Sequence, residues 1–267
     1  MSRLADRVIL VTGSTGIAAA AARRFAAEGA LVFVASRTVE HLAELGARVR
    51  NDGGDIETRV ADLTGEAEVE AAVAACVERF GRLDGVFSVA GGSGRRFGDG
   101  PIHTVSGDAW DQTLRLNLRT QALVCASVVR QMLHQEPNDG GTCGSILLMG
   151  SVTATDPAPE YFATHAYAAA KGAIAALMTT MAARYAADRI RVNVIAPSLT
   201  DTPMALRAAG DRAIRAYAAR KQPLAGELLD PDDVAKAAVF FLSDESRAIT
   251  GQVLKIDGGW SVLSVSP

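Results

Sequence analysis

Short β-rich runs alternate with helical stretches along the whole chain, and this rhythm restricts the possible folds more than any other feature. The run RVILVT precedes an Ala-rich helical stretch ending at Glu28. ALVFVAS precedes a helical stretch over 40–50, IETRVA precedes one over 66–80, and LDGVFSVA follows. The second half repeats the pattern: GSILLMGS, IRVNVIA and QVLKIDGG read as strands, separated by helical stretches near 108–135, 165–187 and 231–242. Such alternation implies parallel strands joined by crossover helices. It predicts an α/β fold with a doubly wound, seven-stranded parallel sheet, helices on both faces, and a ligand crevice beyond the carboxyl ends of the strands.

A length of 267 residues suits one large domain spanning 1–267. Three longer segments interrupt the rhythm, 91–107, 151–164 and 197–222, and long loops in compact domains usually carry function. They are the expected substrate walls. The formal charge is −3 and the arginines are scattered, so no nucleic-acid footprint is expected. Cys76, Cys125 and Cys143 form no CxxC pair and lie in apolar surroundings, as buried thiols in a reducing compartment do. The apolar run from Val8 to Val11 is too short for a signal peptide, and no run of about 18 apolar residues occurs. A cytoplasmic protein with no membrane partner is expected.

Gly13, Gly16 and Ala18, in TGSTGIA, follow a strand and open a helix. Glycines there let the backbone approach a pyrophosphate, whose charge meets the free N–H groups of the helix. An ordinary strand-to-helix turn accounts for the stretch equally well by itself. In YAAAK, Tyr167 and Lys171 are four apart and share one helix face. Only four of the 27 basic residues are lysines, so a lysine here is informative. An ammonium about 4 Å from a phenol, at an effective dielectric of about 20, favours phenolate by roughly 4 kcal/mol, or about three pKa units before desolvation subtracts. Asn117 falls inside a helical stretch where asparagine is a mediocre former; a side-chain bond to nearby backbone would account for it. The four histidines and three cysteines show no metal-binding spacing, and no catalytic metal is expected.

With these motifs in order, the chain resembles the short-chain dehydrogenase/reductase family from end to end, which implies a Rossmann-type fold. The resemblance implies a catalytic set of Asn117, Ser151, Tyr167 and Lys171. Tyr167 would be the general acid/base, Ser151 would hydrogen-bond the reacting oxygen, and Asn117 would hold a proton-relay water near Lys171. The family's turn is TGxxxGIG; TGSTGIA is one residue shorter, with Ala18 for the last glycine. Gly13, Ser14, Thr15, Gly16 and Ile17 would contact the cofactor.

After the second strand, Ser36 stands where an Asp favours NAD, and Arg37 follows it. The pair resembles the arrangement that takes a 2′-phosphate, so NADP is expected over NAD. Asp62 and Leu63 in VADLT resemble the residues beside the adenine, although Asp62 also reads as a loop or cap carboxylate. The family's NNAG appears as SVAG, keeping Ala90 and Gly91. In APSLTDTPM, Pro197, Thr200 and Thr202 resemble the segment that meets the nicotinamide.

Ser151 precedes Tyr167 by sixteen positions, where the family has about thirteen. The surplus is expected to bulge outward and enlarge a substrate wall, with Tyr161, Phe162 and His165 as lining or plain surface packing. The resemblance further implies a small-molecule ketone or alcohol substrate, and a homotetramer or dimer packed through 108–135 and 165–187. A nucleotide-binding or sensing protein with little catalysis is the alternative, motivated by the shortened turn.

Overall fold

The computed structural model describes residues 2–264. The first half runs β1 (Val8–Thr12), α1 (Gly16–Ala27), β2 (Leu31–Ser36), α2 (Val39–Asn51), β3 (Asp55–Val60), α3 (Glu66–Phe80) and β4 (Gly85–Ser88). It continues with α4 (Gly107–Leu114), a π turn (Arg115–Arg119), α5 (Thr120–Met132), β5 (Gly144–Met149), a short α6 (Pro159–Phe162) and α7 (His165–Tyr185). The last part holds β6 (Ile190–Pro197), α8 (Leu206–Ala209), α9 (Arg212–Lys221), α10 (Pro231–Leu242) and β7 (Val253–Ile256). The seven strands form one sheet in the order β3-β2-β1-β4-β5-β6-β7. Every pairing is parallel.

The central strands are apolar without interruption because both faces of the sheet are covered. Period-two geometry divides them between two cores. Val8 and Leu10 of β1, with Ile146 and Leu148 of β5, face α3, α5 and α7. Ile9 and Val11, with Leu147 and Met149, face α1, α2 and α10. The alanines of α1 serve packing: Ala18, Ala21 and Ala22 are fully buried in the second core.

The strand order reverses between β1 and β4, and there the crevice opens. The Thr12 hydroxyl fastens the two strand ends by accepting from Val89 N at 2.9 Å and Ala90 N at 3.0 Å.

Two features depart from the sequence reading. The stretch 108–135 is not one uniform helix: the π turn at Arg115–Arg119 separates α4 from α5. The surplus in 151–164 does not bulge outward. It folds into α6, whose Tyr161 and Phe162 pack with Tyr217 and Trp260. Trp260 also donates from Nε1 to the Asp156 carbonyl at 3.1 Å, and Lys255 pairs with the Asp156 carboxylate at 2.5 Å. Burial of aromatic surface outweighs the freedom that a solvated loop would keep.

Candidate active site

A cavity of about 640 Å³ opens at the switch point. Gly13, Ser14, Thr15, Gly16, Ile17, Arg37, Ala90, Gly91, Pro197, Thr200 and Thr202 line it, together with Asn117, Ser151, Tyr167 and Lys171. Ser36, Asp62 and Leu63 line an adjoining recess of about 250 Å³, which shares the glycine turn, Arg37, Ala90 and Gly91. The catalytic and cofactor-binding residues expected from the sequence therefore line two adjoining spaces. A hollow of about 770 Å³ between α1, α2 and the start of α10 is larger, but it holds none of the four residues of the catalytic set.

The shortened turn leaves this space open. Gly13 and Gly16 have φ of +98° and +53°, a region that favours glycine. A Cβ on Gly16 would lie 2.9 Å from Thr202 Cγ2, and one on Gly13 would lie 3.2 Å from Ala18 Cβ. The missing side chain of Gly13 makes room for the Ala18 methyl, so alanine is accepted where the family has glycine. Thr15 forms no side-chain cap on α1, which leaves the first N–H groups of that helix without a side-chain partner.

Helix α7 carries Tyr167 and Lys171 one turn apart. Its start is held by Asp99, a residue not singled out from the sequence. The buried Asp99 carboxylate accepts from Ala166 N at 3.0 Å and from Tyr167 N at 2.9 Å, supplying the cap that Thr164 does not. Lys171 Nζ donates to the Met149 carbonyl at 2.8 Å and lies 5.5 Å from the centre of the Tyr167 ring. Gln121, also unforeseen, fixes that peptide: its Nε2 donates to the same carbonyl at 3.0 Å and its Oε1 accepts from Met149 N at 3.2 Å.

Asn117 is fully buried within the π turn. Its Nδ2 donates to the carbonyls of Gly92 and Thr113, each at 3.0 Å, and its Oδ1 accepts from Gly92 N at 3.1 Å. The side chain thus clamps the segment after β4 to the helix. Ser151 Oγ accepts from Thr153 N at 3.2 Å and from the Thr153 hydroxyl at 2.9 Å.

Desolvation, which the sequence argument left to be subtracted, governs both titrating groups of the pair. Burial pushes the Tyr167 phenol up to about 12, against a hydrogen bond from Ser151 that lowers it. Burial also pushes the Lys171 ammonium down to about 7. Cys76 and Cys125, buried in the cores, are pushed up to about 12 by the same cause and are poor nucleophiles.

At the recess, Ser14 Oγ donates to Ser36 Oγ at 2.9 Å. Asp62 accepts from Thr64 N at 3.1 Å and from the Thr64 hydroxyl at 2.9 Å, so it is a turn carboxylate as well as a recess wall. Burial pushes its pKa up, but the Thr64 bonds and the charges of Arg37 and Arg115 hold it below the ordinary value. His165 does not line the crevice: it is exposed and its Nδ1 accepts from Ile102 N at 2.9 Å. Phe162 and Trp260 do line the crevice.

These residues fit a dinucleotide. The turn is a cradle that a Cβ would fill, and Ser198 Oγ, in the crevice wall, is buried with no hydrogen-bond partner. Among the described residues no helix is long and apolar enough to cross a membrane.

Residues 11–261 match the family model described as enoyl-(acyl carrier protein) reductase. The short-chain reductase protein NovJ of Streptomyces niveus is 36% identical over 95% of this chain and 94% of its own length. The structure of a short-chain type dehydrogenase/reductase from Mycobacterium ulcerans superposes with a TM-score of 0.87 at 33% identity, covering 97% of this chain and 90% of that one. The structure of 3-ketoacyl-(acyl-carrier-protein) reductase from Brucella melitensis, complexed with NADH, has a TM-score of 0.84 at 29% identity, covering 97% of this chain and 100% of that one. An all-parallel sheet, a glycine turn at its switch point, and relatives that span nearly the whole sequence lead to one assignment: the chain belongs to the short-chain dehydrogenase/reductase family of NAD(P)-dependent oxidoreductases.

Proposed function

We propose that the protein moves hydride between NADP(H) and a ketone or secondary alcohol, with Tyr167 as general acid/base. The observation that carries this reading is that Tyr167, Ser151 and Lys171 line the same crevice as the glycine turn. When bound, the nicotinamide supplies or accepts the hydride. Gly13–Ile17 hold the pyrophosphate, and Pro197, Thr200 and Thr202 orient the nicotinamide end. Ser36, Arg37, Asp62 and Leu63 hold the adenosine end, flanked by Ala90 and Gly91.

Tyr167, pushed up to about 12, keeps its proton at neutral pH and can donate it to a ketone oxygen that Ser151 orients. Phenolate character grows as the proton leaves, and Lys171, 5.5 Å from the centre of the ring, stabilises it when protonated. The Asn117 side chain gives both Nδ2 hydrogens to the Gly92 and Thr113 carbonyls, so it has no free donor for a relay water. Residues 1–267 act as one dinucleotide-binding domain. The protein acts as a homotetramer or dimer packed through the helices of 108–135 and 165–187.

The cofactor assignment is tested by titrating NADPH and NADH into the wild type and Arg37→Ala. A charge-assisted bond is worth about 1.5–3 kcal/mol. NADPH affinity is expected to fall roughly ten- to hundred-fold while NADH affinity changes little. Equal losses for both nucleotides contradict the phosphate role.

A further inference from the structure

The larger crevice has a one-sided charge. Arg37, Arg95, Arg96, Lys171 and Arg207 line it, and no Asp or Glu does, although the whole chain carries a formal charge of −3. Arg37 belongs to the recess end and Lys171 to the Tyr167 pair. Arg95 and Arg207 are accounted for by neither.

Their placement is specific. Arg95 comes from the 3₁₀ turn Gly94–Phe97 and Arg207 from α8, on two different substrate loops. Both donate through Nη2 to one acceptor, the Tyr161 carbonyl, at 3.0 Å and 3.2 Å. Neither takes part in an ion pair among the described residues. Two like charges are thus drawn together around a neutral oxygen. Partial burial, and then the charge of Arg207, lower the pKa of Arg95 against the charge of Asp99, which raises it; both arginines stay exposed. A guanidinium offers five N–H donors in a planar fork, and that carbonyl takes one from each arginine. The Arg207 guanidinium lies 5.9 Å from the centre of the Phe162 ring, and Phe162 meets Trp260 edge-on at 6.1 Å. The cationic pair therefore borders an apolar wall.

We propose that the substrate is an oxyanion: a ketone or alcohol whose apolar frame rests on Phe162 and Trp260 and whose carboxylate or phosphate ester is held between Arg95 and Arg207. This rests on the hydride-transfer reading of the same crevice. An oxyanion relieves the repulsion between the two guanidiniums and meets their forks with paired oxygens. The one-signed crevice also draws anionic substrates to a chain that is negative overall.

The test is calorimetric titration of the full chain, with and without NADP⁺, using cyclohexanecarboxylate, cyclohexyl phosphate and neutral methyl cyclohexanecarboxylate. At least one anion is expected to bind about ten-fold or more tightly than the ester. That preference is expected to vanish in the double variant Arg95→Gln/Arg207→Gln, while NADP⁺ affinity stays within about two-fold. The better anion identifies the headgroup. Equal binding of anions and ester, or none of any, overturns the proposal. So does a preference that survives in the variant, or a variant that loses NADP⁺ affinity, which assigns the arginines to the cofactor. A parallel assay compares turnover of 4-oxocyclohexanecarboxylate and its methyl ester. Anion binding that depends on the arginines, with no turnover of either ketone, leaves the anion site standing and removes the hydride-transfer reading.

Discussion

Lys171 holds an amine in a place where charge is costly, and it does so with one hydrogen bond to the Met149 carbonyl. Burial pushes it down to about 7, whereas an unfolded lysine titrates near 10.4. Between these values the unfolded chain binds the proton and the folded chain does not, so this residue makes stability rise with pH over that window. The penalty is fully present below pH 7. Tyr167 has the opposite sign at higher pH: its folded value of about 12 exceeds the ordinary 10, so its contribution falls as pH rises from about 10. Relative to wild type, Lys171→Met is expected to be stabilised most near pH 6–7, by an amount on the order of a few kcal/mol, and to lose that advantage toward pH 10. Urea denaturation of both proteins across this range checks the sign. A difference that is flat with pH would show that Lys171 is not desolvated as described.

At the scale of elements, α7 delivers Tyr167 and Lys171 to the crevice one turn apart, but it is anchored from another loop. Removing the Asp99 cap leaves two N–H groups at the start of α7 unpaired, one of them that of Tyr167. Asp99→Ala is expected to cost about 1–2 kcal/mol of stability and to lower kcat more than it raises KM, with Asp99→Asn in between because it keeps one acceptor oxygen. Denaturation midpoints and steady-state kinetics measure this.

The contrast between these two features shows what the sequence could disclose. Tyr167 and Lys171 are four apart, so helical geometry alone puts them together. Likewise α3 and α10 run Glu66–Phe80 and Pro231–Leu242, the spans expected from the alternation of β-rich and helical stretches. Asp99 meets its partners across 67 and 68 positions, and no local pattern encodes that contact. The π turn is hidden for the same reason: the Asn117 side chain reaches Gly92, 25 positions away. Only the oddity of an asparagine in a helix hinted at it. The inward fold of 151–164 depends on Tyr217 and Trp260, which lie far downstream.

For the whole molecule, the reversal of strand order between β1 and β4 gathers the glycine turn, the ends of β4 to β6 and the start of α7 around one space. The proposed function depends on that convergence: a crevice whose inner wall includes Tyr167, the proposed proton donor. The most direct test is Tyr167→Phe, which removes the hydroxyl and little else, followed by NADPH binding and single-turnover hydride transfer to a reducible ketone. NADPH affinity is expected to stay within about two-fold while hydride transfer slows by about 10²- to 10⁴-fold. Near-wild-type transfer in the variant would contradict the account.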